Sequence, residues 1–251
     1  MDIRQIKAID MHSHLNHGAI CEPANTEAHL QDLDYLIKMN KSANIEISMY
    51  STFSSVLCTE SILDENAYLF ELAQEFDWFY QWVVIDPRNP VTFQQAAQML
   101  NRGKCVGIKI HPWYHKYCPE EYADRLSAFA SNYGAIILTH NMTTPESVIP
   151  FADKYPDVTY ILAHVGSPDY ARAINGAKYR NVYTDTSSSS SSLNRIIEYT
   201  VEQAGSDRVL FGTDTYAAGF QRGRIEYALI PEEDKVNILR NNALRLFGRF
   251  F

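Results

Sequence analysis

The segment "IDMHSHLNHG" (9–18) sets Asp10, His12 and His14 at alternate positions. In an extended chain that spacing turns all three to one side, and imidazoles at i, i+2 can serve as two ligands to one metal ion. Similar chemistry recurs further on. Lys109 and His111 repeat the i, i+2 spacing, His140 and His164 each close an apolar run, and "GTD" ends on Asp214. Neutral imidazoles with one carboxylate suit Zn2+, and also Mn2+ or Fe2+, with a position left for water. A divalent metal lowers the pKa of its water from 15.7 to as little as about 7. A carboxylate beside it can accept the released proton and pass it to a leaving group. Asp214 is a candidate for both ligand and base.

Each residue alone has a bland explanation: a surface His-x-His, a hydrogen-bonded histidine, a snorkelling lysine, an ordinary turn. Their positions in the chain argue otherwise. The β-rich runs are 6–10, 45–50, 78–85, 105–110, 135–139, 158–163, 181–185 and 208–212. Five of the eight histidines fall at C-terminal ends of these runs, together with Lys109 and Asp214. The bland explanations would have to hold independently at five strands.

Amphipathic stretches lie between the runs. "NTEAHLQDLDYLIKM" (25–39) offers Asn25 or Thr26 as a cap, and "SILDENAYLFELAQEF" (61–76) opens with the capping pattern Ser61-x-x-Asp64. Pro145 suits a first helical turn. Further helices fit 92–100, 119–133, 167–177, 192–204 and 231–247, and the serine run 187–192 reads as a βα loop that also caps the next helix. Eight βα repeats without a break in composition predict one domain over 1–251, a (β/α)8 barrel whose C-terminal strand ends share one rim. The rival open sheet normally carries a Gly-rich phosphate loop after its first strand, and none follows Asp10.

Composition narrows the partners. The chain has 251 residues, 46% of them hydrophobic, and a net charge of −8. That balance counts against a nucleic-acid backbone or an anionic membrane surface as the main partner, and no run is long enough to span a bilayer. The N-terminus lacks the apolar region of an export signal. Cys21, Cys58, Cys105 and Cys118 form no Cys-x-x-Cys pair, and they read as reduced thiols of a cytoplasmic protein.

The motifs "DMHSHL" (10–15), "GIKIHP" (107–112), "LTHN" (138–141), "ILAHVG" (161–166), "NVYTDTS" (181–187) and "RVLFGTD" (208–214) occur in the order seen in the amidohydrolase superfamily. The chain most resembles its "amidohydrolase 2" branch, and the closing "NNALRLFG" (241–248) is similar to that branch's last helix. The resemblance covers essentially the whole chain. It implies a metal-dependent enzyme on a distorted (β/α)8 barrel, with His12, His14, His140 and Asp214 as metal ligands. It places His164 close by, to polarise substrate, assist proton transfer or bind a second metal. The branch holds hydrolases and nonoxidative decarboxylases. The well-known decarboxylases are longer, which favours hydrolysis. Lys109 stands near the position of the lysine that, carbamylated, bridges two metals in binuclear relatives, and His111 projects to the same side. One metal per chain is the expectation, with two as the alternative.

The loops carry the substrate clues. Trp113, Tyr114 and His115 follow strand four, where aromatics can wall a binding site or pack on a neighbouring loop. Tyr216, Arg222 and Arg224 follow strand eight, where an arginine can clamp a carboxylate or phosphate or simply face solvent. His17 and Glu22 are further rim candidates. The expectation is a metal-dependent hydrolase of an amide, lactone or other ester bond in a small molecule, with a homodimer allowed. The alternatives are decarboxylation of an aromatic or unsaturated acid, and a ligand-binding barrel without catalysis. The intact ligand set counts against the last.

Overall fold

The computed structural model describes residues 2–18, 32–100, 102–140 and 143–251. Eight strands, β1 (Ala8–Leu15), β2 (Ile45–Thr52), β3 (Phe79–Val84), β4 (Cys105–Ile110), β5 (Ile136–Thr139), β6 (Tyr160–Leu162), β7 (Val182–Asp185) and β8 (Val209–Leu210), lie in sequence order. Every ladder is parallel. Helices return the chain between them, for instance Leu33–Ser42, Ile62–Glu75, Pro119–Tyr133 and Ala218–Glu226. The β8–β1 seam is closed by single bonds: Met11 N–H donates to Phe211 O (3.0 Å), and Thr213 and Asp214 N–H both donate to His12 O (3.2 and 2.7 Å). The fold is the expected (β/α)8 barrel.

Parallel strands covered by helices are buried on both faces, so they read as apolar runs rather than alternating ones. Outward residues such as Val83, Ile108 and Leu162 pack under the helices. Inward residues including Met11, Trp82, Leu138 and Phe247 fill the barrel's lower interior. Trp82 anchors this plug by donating from Nε1 to Met11 O (2.8 Å). Gly107 makes room for it, since a Cβ there would stand 2.7 Å from the Trp82 ring and 2.3 Å from Ile136 O. With the lower half filled by hydrocarbon, polar inward residues can gather only at the upper rim.

Several local expectations change. The helix predicted over 25–39 spans Leu33–Ser42 within the described residues and is capped by Asp32, which accepts from Tyr35 N–H (2.9 Å); Asn25 and Thr26 lie outside those residues. Ser61 occupies its N-cap without a side-chain bond, because Thr59–Ser61 already forms a 3-10 turn. The serine run does not cap the helix Ile196–Ala204 either; Arg195 holds that position in a left-handed conformation. Ser191 instead bonds back to the carbonyls of Thr186 and Ser187. Cys58 is disulfide-bonded while Cys105 and Cys118 are free, which corrects the expectation of four reduced thiols. Spacing along the chain does not report which thiols meet in a barrel. Among the described residues, no helix is long and apolar enough to cross a membrane.

Candidate active site

The seam between the first and last strands builds one side of the site. Asp10 is buried and accepts four hydrogen bonds, from His12 N–H (3.1 Å), Ser13 Oγ (2.5 Å), Thr213 N–H (3.0 Å) and Thr213 Oγ1 (2.6 Å). Burial pushes its carboxyl up to about 7 against the pull of these donors. Asp10 therefore clasps β1 to the chain beyond β8, rather than facing the other acids and imidazoles. A register shift between Asp10 and Ser13 accompanies that turn.

Just above, Asp214 and Thr215 take left-handed backbone angles, with φ of 56° and 61°, which for residues other than glycine cost about 1–3 kcal/mol each. The surrounding bonds hold them there. Thr215 N–H donates to Thr213 Oγ1 (3.0 Å), and Thr215 Oγ1 bonds both His14 N–H (2.5 Å) and His14 O (2.6 Å). Gly212 lets the chain cross over β1, because a Cβ there would lie 3.0 Å from the Cβ atoms of both His12 and Ser187.

The imidazoles of β1 point at Asp214. His14 Nε2 lies 3.1 Å from Asp214 Oδ1, and His12 Nε2 lies 3.7 Å from the same oxygen. On its far side His12 Nδ1 meets Asp185 Oδ2 at 2.9 Å. Burial pushes Asp185 upward, but His12 and then His164 and Ser187 hold its carboxyl well below the usual carboxylate range. An ionised carboxylate only accepts, so His12 Nδ1 carries the hydrogen and Nε2 presents a lone pair to the centre. Ser51 offers His14 Nδ1 both a carbonyl (3.3 Å) and a hydroxyl (3.0 Å), so either tautomer of that ring keeps a partner. Burial pulls His12 down to about 3 and also lowers His14, keeping both rings neutral.

The opposite side is held more loosely. Lys109 is fully buried, with Nζ 2.8 Å from His12 Nε2, and burial brings its amine down to about 7. His164, with φ of 65°, meets His140 at Nε2–Nε2 2.9 Å and Ser187 Oγ at Nδ1 (2.8 Å). Burial, with His111 and Lys109 nearby, holds His140 well below the usual histidine range. Its Nδ1 is buried without a partner among the described residues. His111 lies against it, ring centroids 3.7 Å apart. Burial raises the Asp214 carboxyl, yet His164, His14 and His12 together keep it well below the ordinary range.

This donor set fits a divalent cation. One atom each of His12, His164 and Asp214 lie within 4.8 Å of one another. The inward lone pair of His12, the carboxylate of Asp214 and the facing nitrogens of His140 and His164, which share one hydrogen between them, crowd acceptors together, and a metal ion satisfies such a group. A carboxylate behind a histidine fixes its tautomer and ring orientation in metal sites, which is the geometry of Asp185 and His12.

The rim candidates divide. Tyr114 and Tyr216 are 47% and 37% exposed, and Asp214 and Tyr114 both lie close enough to Tyr216 to act on its charge. Trp113 is 81% exposed. His115 turns away to Ser55 O (3.0 Å), and His17 bonds Glu65 (3.2 Å) and stacks on Tyr68. Glu22 lies outside the described residues. Arg222 is a correction. The stretch after Asp214 forms the helix Ala218–Glu226, which carries Arg222 to the far end of the barrel. There its guanidinium serves Glu226 and the carbonyls of Ile3, Arg4, Ala43 and Asn44, with no donor left for substrate. Arg224 likewise binds Thr186 O and Ser191.

Sequence reasoning gave no role to Asp185, Ser187 or Ser51. Asp185 and Ser187 stand at the end of β7 in "NVYTDTS", so the strand-end signal that found the histidines pointed to them as well. Ser187 was hidden in a serine run that reads as linker. Ser51 carries no signal of its own, since half of its contact is a backbone carbonyl.

The sequence pattern of the amidohydrolases (Amidohydro_2) matches residues 9–249. The chain belongs to the amidohydrolase family. Among solved structures it is similar to the 2,6-dihydroxybenzoate decarboxylase from Rhizobium, with a TM-score of 0.74, 16% identity and coverage of 96% of this chain and 98% of that one. The dihydroxybenzoic acid decarboxylase from Polaromonas sp. JS666, solved with manganese and the inhibitor 2-nitroresorcinol, gives 0.70, 15%, 96% and 96%. An amidohydrolase from Burkholderia multivorans with bound zinc gives 0.69, 15%, 96% and 99%. No functionally curated protein matches the chain in sequence. The match runs nearly end to end along both decarboxylases.

Proposed function

We propose that this amidohydrolase is a metal-dependent hydrolase that opens an amide, lactone or other ester bond of a small molecule. His12, His14, His140 and Asp214 would hold the metal, zinc first, with manganese or iron as alternatives. His164 would face the substrate, or take a ligand position itself. A divalent cation in this set supplies Lewis acidity, polarising an acyl oxygen and acidifying a water. The chain's residues supply the rest. Asp214, ionised through the neutral range, accepts the water's proton and returns it to the leaving group. His164, when its inward nitrogen carries a hydrogen, would stabilise the negative charge that develops on the acyl oxygen. Asp185 keeps His12 in the tautomer whose Nε2 faces inward. We expect one metal per chain; two metals with activation by bicarbonate would instead indicate a carbamate on Lys109.

The observation that carries this reading is the pairing of a carboxylate held ionised with an imidazole whose inward lone pair is fixed by Asp185. The test is metal analysis followed by a panel of lactones, esters, amides and hydroxylated benzoates in 18O-water. Solvent oxygen in the product supports hydrolysis. The second reading is decarboxylation, the activity named for two of the similar structures, and CO2 release with a solvent proton on carbon and no 18O in the remaining skeleton would establish it. Protein that takes up no divalent metal would overturn both.

A further inference from the structure

His111 sits beside the proposed metal ligands without belonging to them, and its contacts settle which of its nitrogens is available. It caps the turn Pro112–His115, where its Nδ1 accepts from Tyr114 N–H at 3.4 Å. A ring nitrogen that accepts carries no hydrogen, so in the neutral ring the hydrogen is on Nε2. Among the described residues His111 Nε2 has no hydrogen-bond partner, and it is not one of the buried, unpartnered atoms of the structure. The ring is fixed on both sides, against His140 at 3.7 Å and Tyr114 at 4.8 Å between centroids. His14, Lys109 and Asp214 all lie close enough to act on its charge, which places it at the cluster. Tyr114 beside it is 47% exposed, and Tyr216, close enough to Tyr114 to feel its charge, is 37% exposed.

We infer that His111 is a specificity-determining residue, donating Nε2–H to an oxygen of the acyl substrate on the Tyr114 side of the site. A neutral donor preset by the backbone needs no change of state to bind, and it rejects compounds that lack an acceptor oxygen, because it would then be buried unpaired. The inference deepens the proposed function and rests on that reading for the site's location.

The experiment uses zinc-loaded full-length protein labelled with 15N-histidine, with benzoate as the probe. His111→Gln identifies the His111 resonances by their loss. In the wild type His111 should show the Nε2–H tautomer, and its Nε2 should shift on benzoate addition. His111→Phe should bind benzoate about tenfold more weakly, the weight of one hydrogen bond to a charged acceptor. His111→Gln, which restores an N–H at nearly the same reach, should recover most of that loss. An Nδ1–H tautomer, wild-type benzoate affinity in His111→Phe, or no binding to wild type at millimolar benzoate would each overturn the inference. Zinc content measured in the same samples separates the two readings. Failure of the protein to hold zinc would count against the proposed function, while the tautomer would still be read from the spectrum.

Discussion

The two sides of the site are built differently. On the β1–β7–β8 side a carboxylate, a serine or several donors stand behind each key group: Asp185 behind His12, Ser51 behind His14, and four donors on Asp10. On the β4–β5–β6 side His111 takes one bond, from Tyr114 N–H, His140 meets only the imidazole of His164, and its buried Nδ1 has no partner among the described residues. A carboxylate partner fixes both direction and tautomer, whereas a contact between two imidazoles leaves the hydrogen free to sit on either ring. The first side is thus preset to hold something in one geometry. The second is held by fewer polar contacts. One hydroxyl joins them: Ser187 Oγ touches His164 Nδ1 (2.8 Å) and His12 Nδ1 (3.1 Å) and donates to Asp185.

That contrast can be tested in order of effect. Asp214→Asn should be the most damaging, lowering kcat by about 10²–10⁴ through loss of the base, and steady-state kinetics on the best substrate of the panel measures it. A variant that keeps more than a tenth of the wild-type kcat would remove Asp214 from the chemistry. Asp185→Asn comes next. It frees His12 to choose its tautomer and should weaken metal affinity about 10- to 100-fold, measured by competition with a chelator. Unchanged affinity would mean that the well-bonded side owes its order to packing instead. Ser187→Ala should be mildest, costing about 1 kcal/mol, or roughly fivefold, for one net hydrogen bond. Because Ser187 bonds Asp185 directly, its effect should not add to that of Asp185→Asn; additivity would show that the hydroxyl and the carboxylate act separately.

Much of the barrel is legible from the chain, because buried parallel strands are continuous apolar runs and each was found within a few residues. β8 is the exception. "RVLFG" reads as a strand, yet only Val209–Leu210 forms a ladder, since from Phe211 onward the chain bonds across the seam to β1. The clustering of His12, His14, Lys109, His111, His140, His164 and Asp214 follows from their strand-end positions. Arg222 misled because proximity to Asp214 in sequence hid a helix that travels away from the rim. The tautomer-setting partners were the least visible. Asp185 and Ser51 act through the geometry of another residue, and no spacing rule within one segment encodes a contact such as that between His12 and Asp185, which lie 173 residues apart.

The clasp of Asp10 on Thr213 joins positions 203 residues apart, and its consequence concerns time rather than shape. Contacts between distant parts of a chain are the slowest to form, because loop entropy is lost before they contribute. During synthesis His12 and His14 emerge early, but their carboxylate partner Asp214 arrives only after seven other strands have been made. The proposed metal-binding set is therefore the last part of the barrel to be assembled, and high-affinity metal uptake would mark a chain that has closed its barrel.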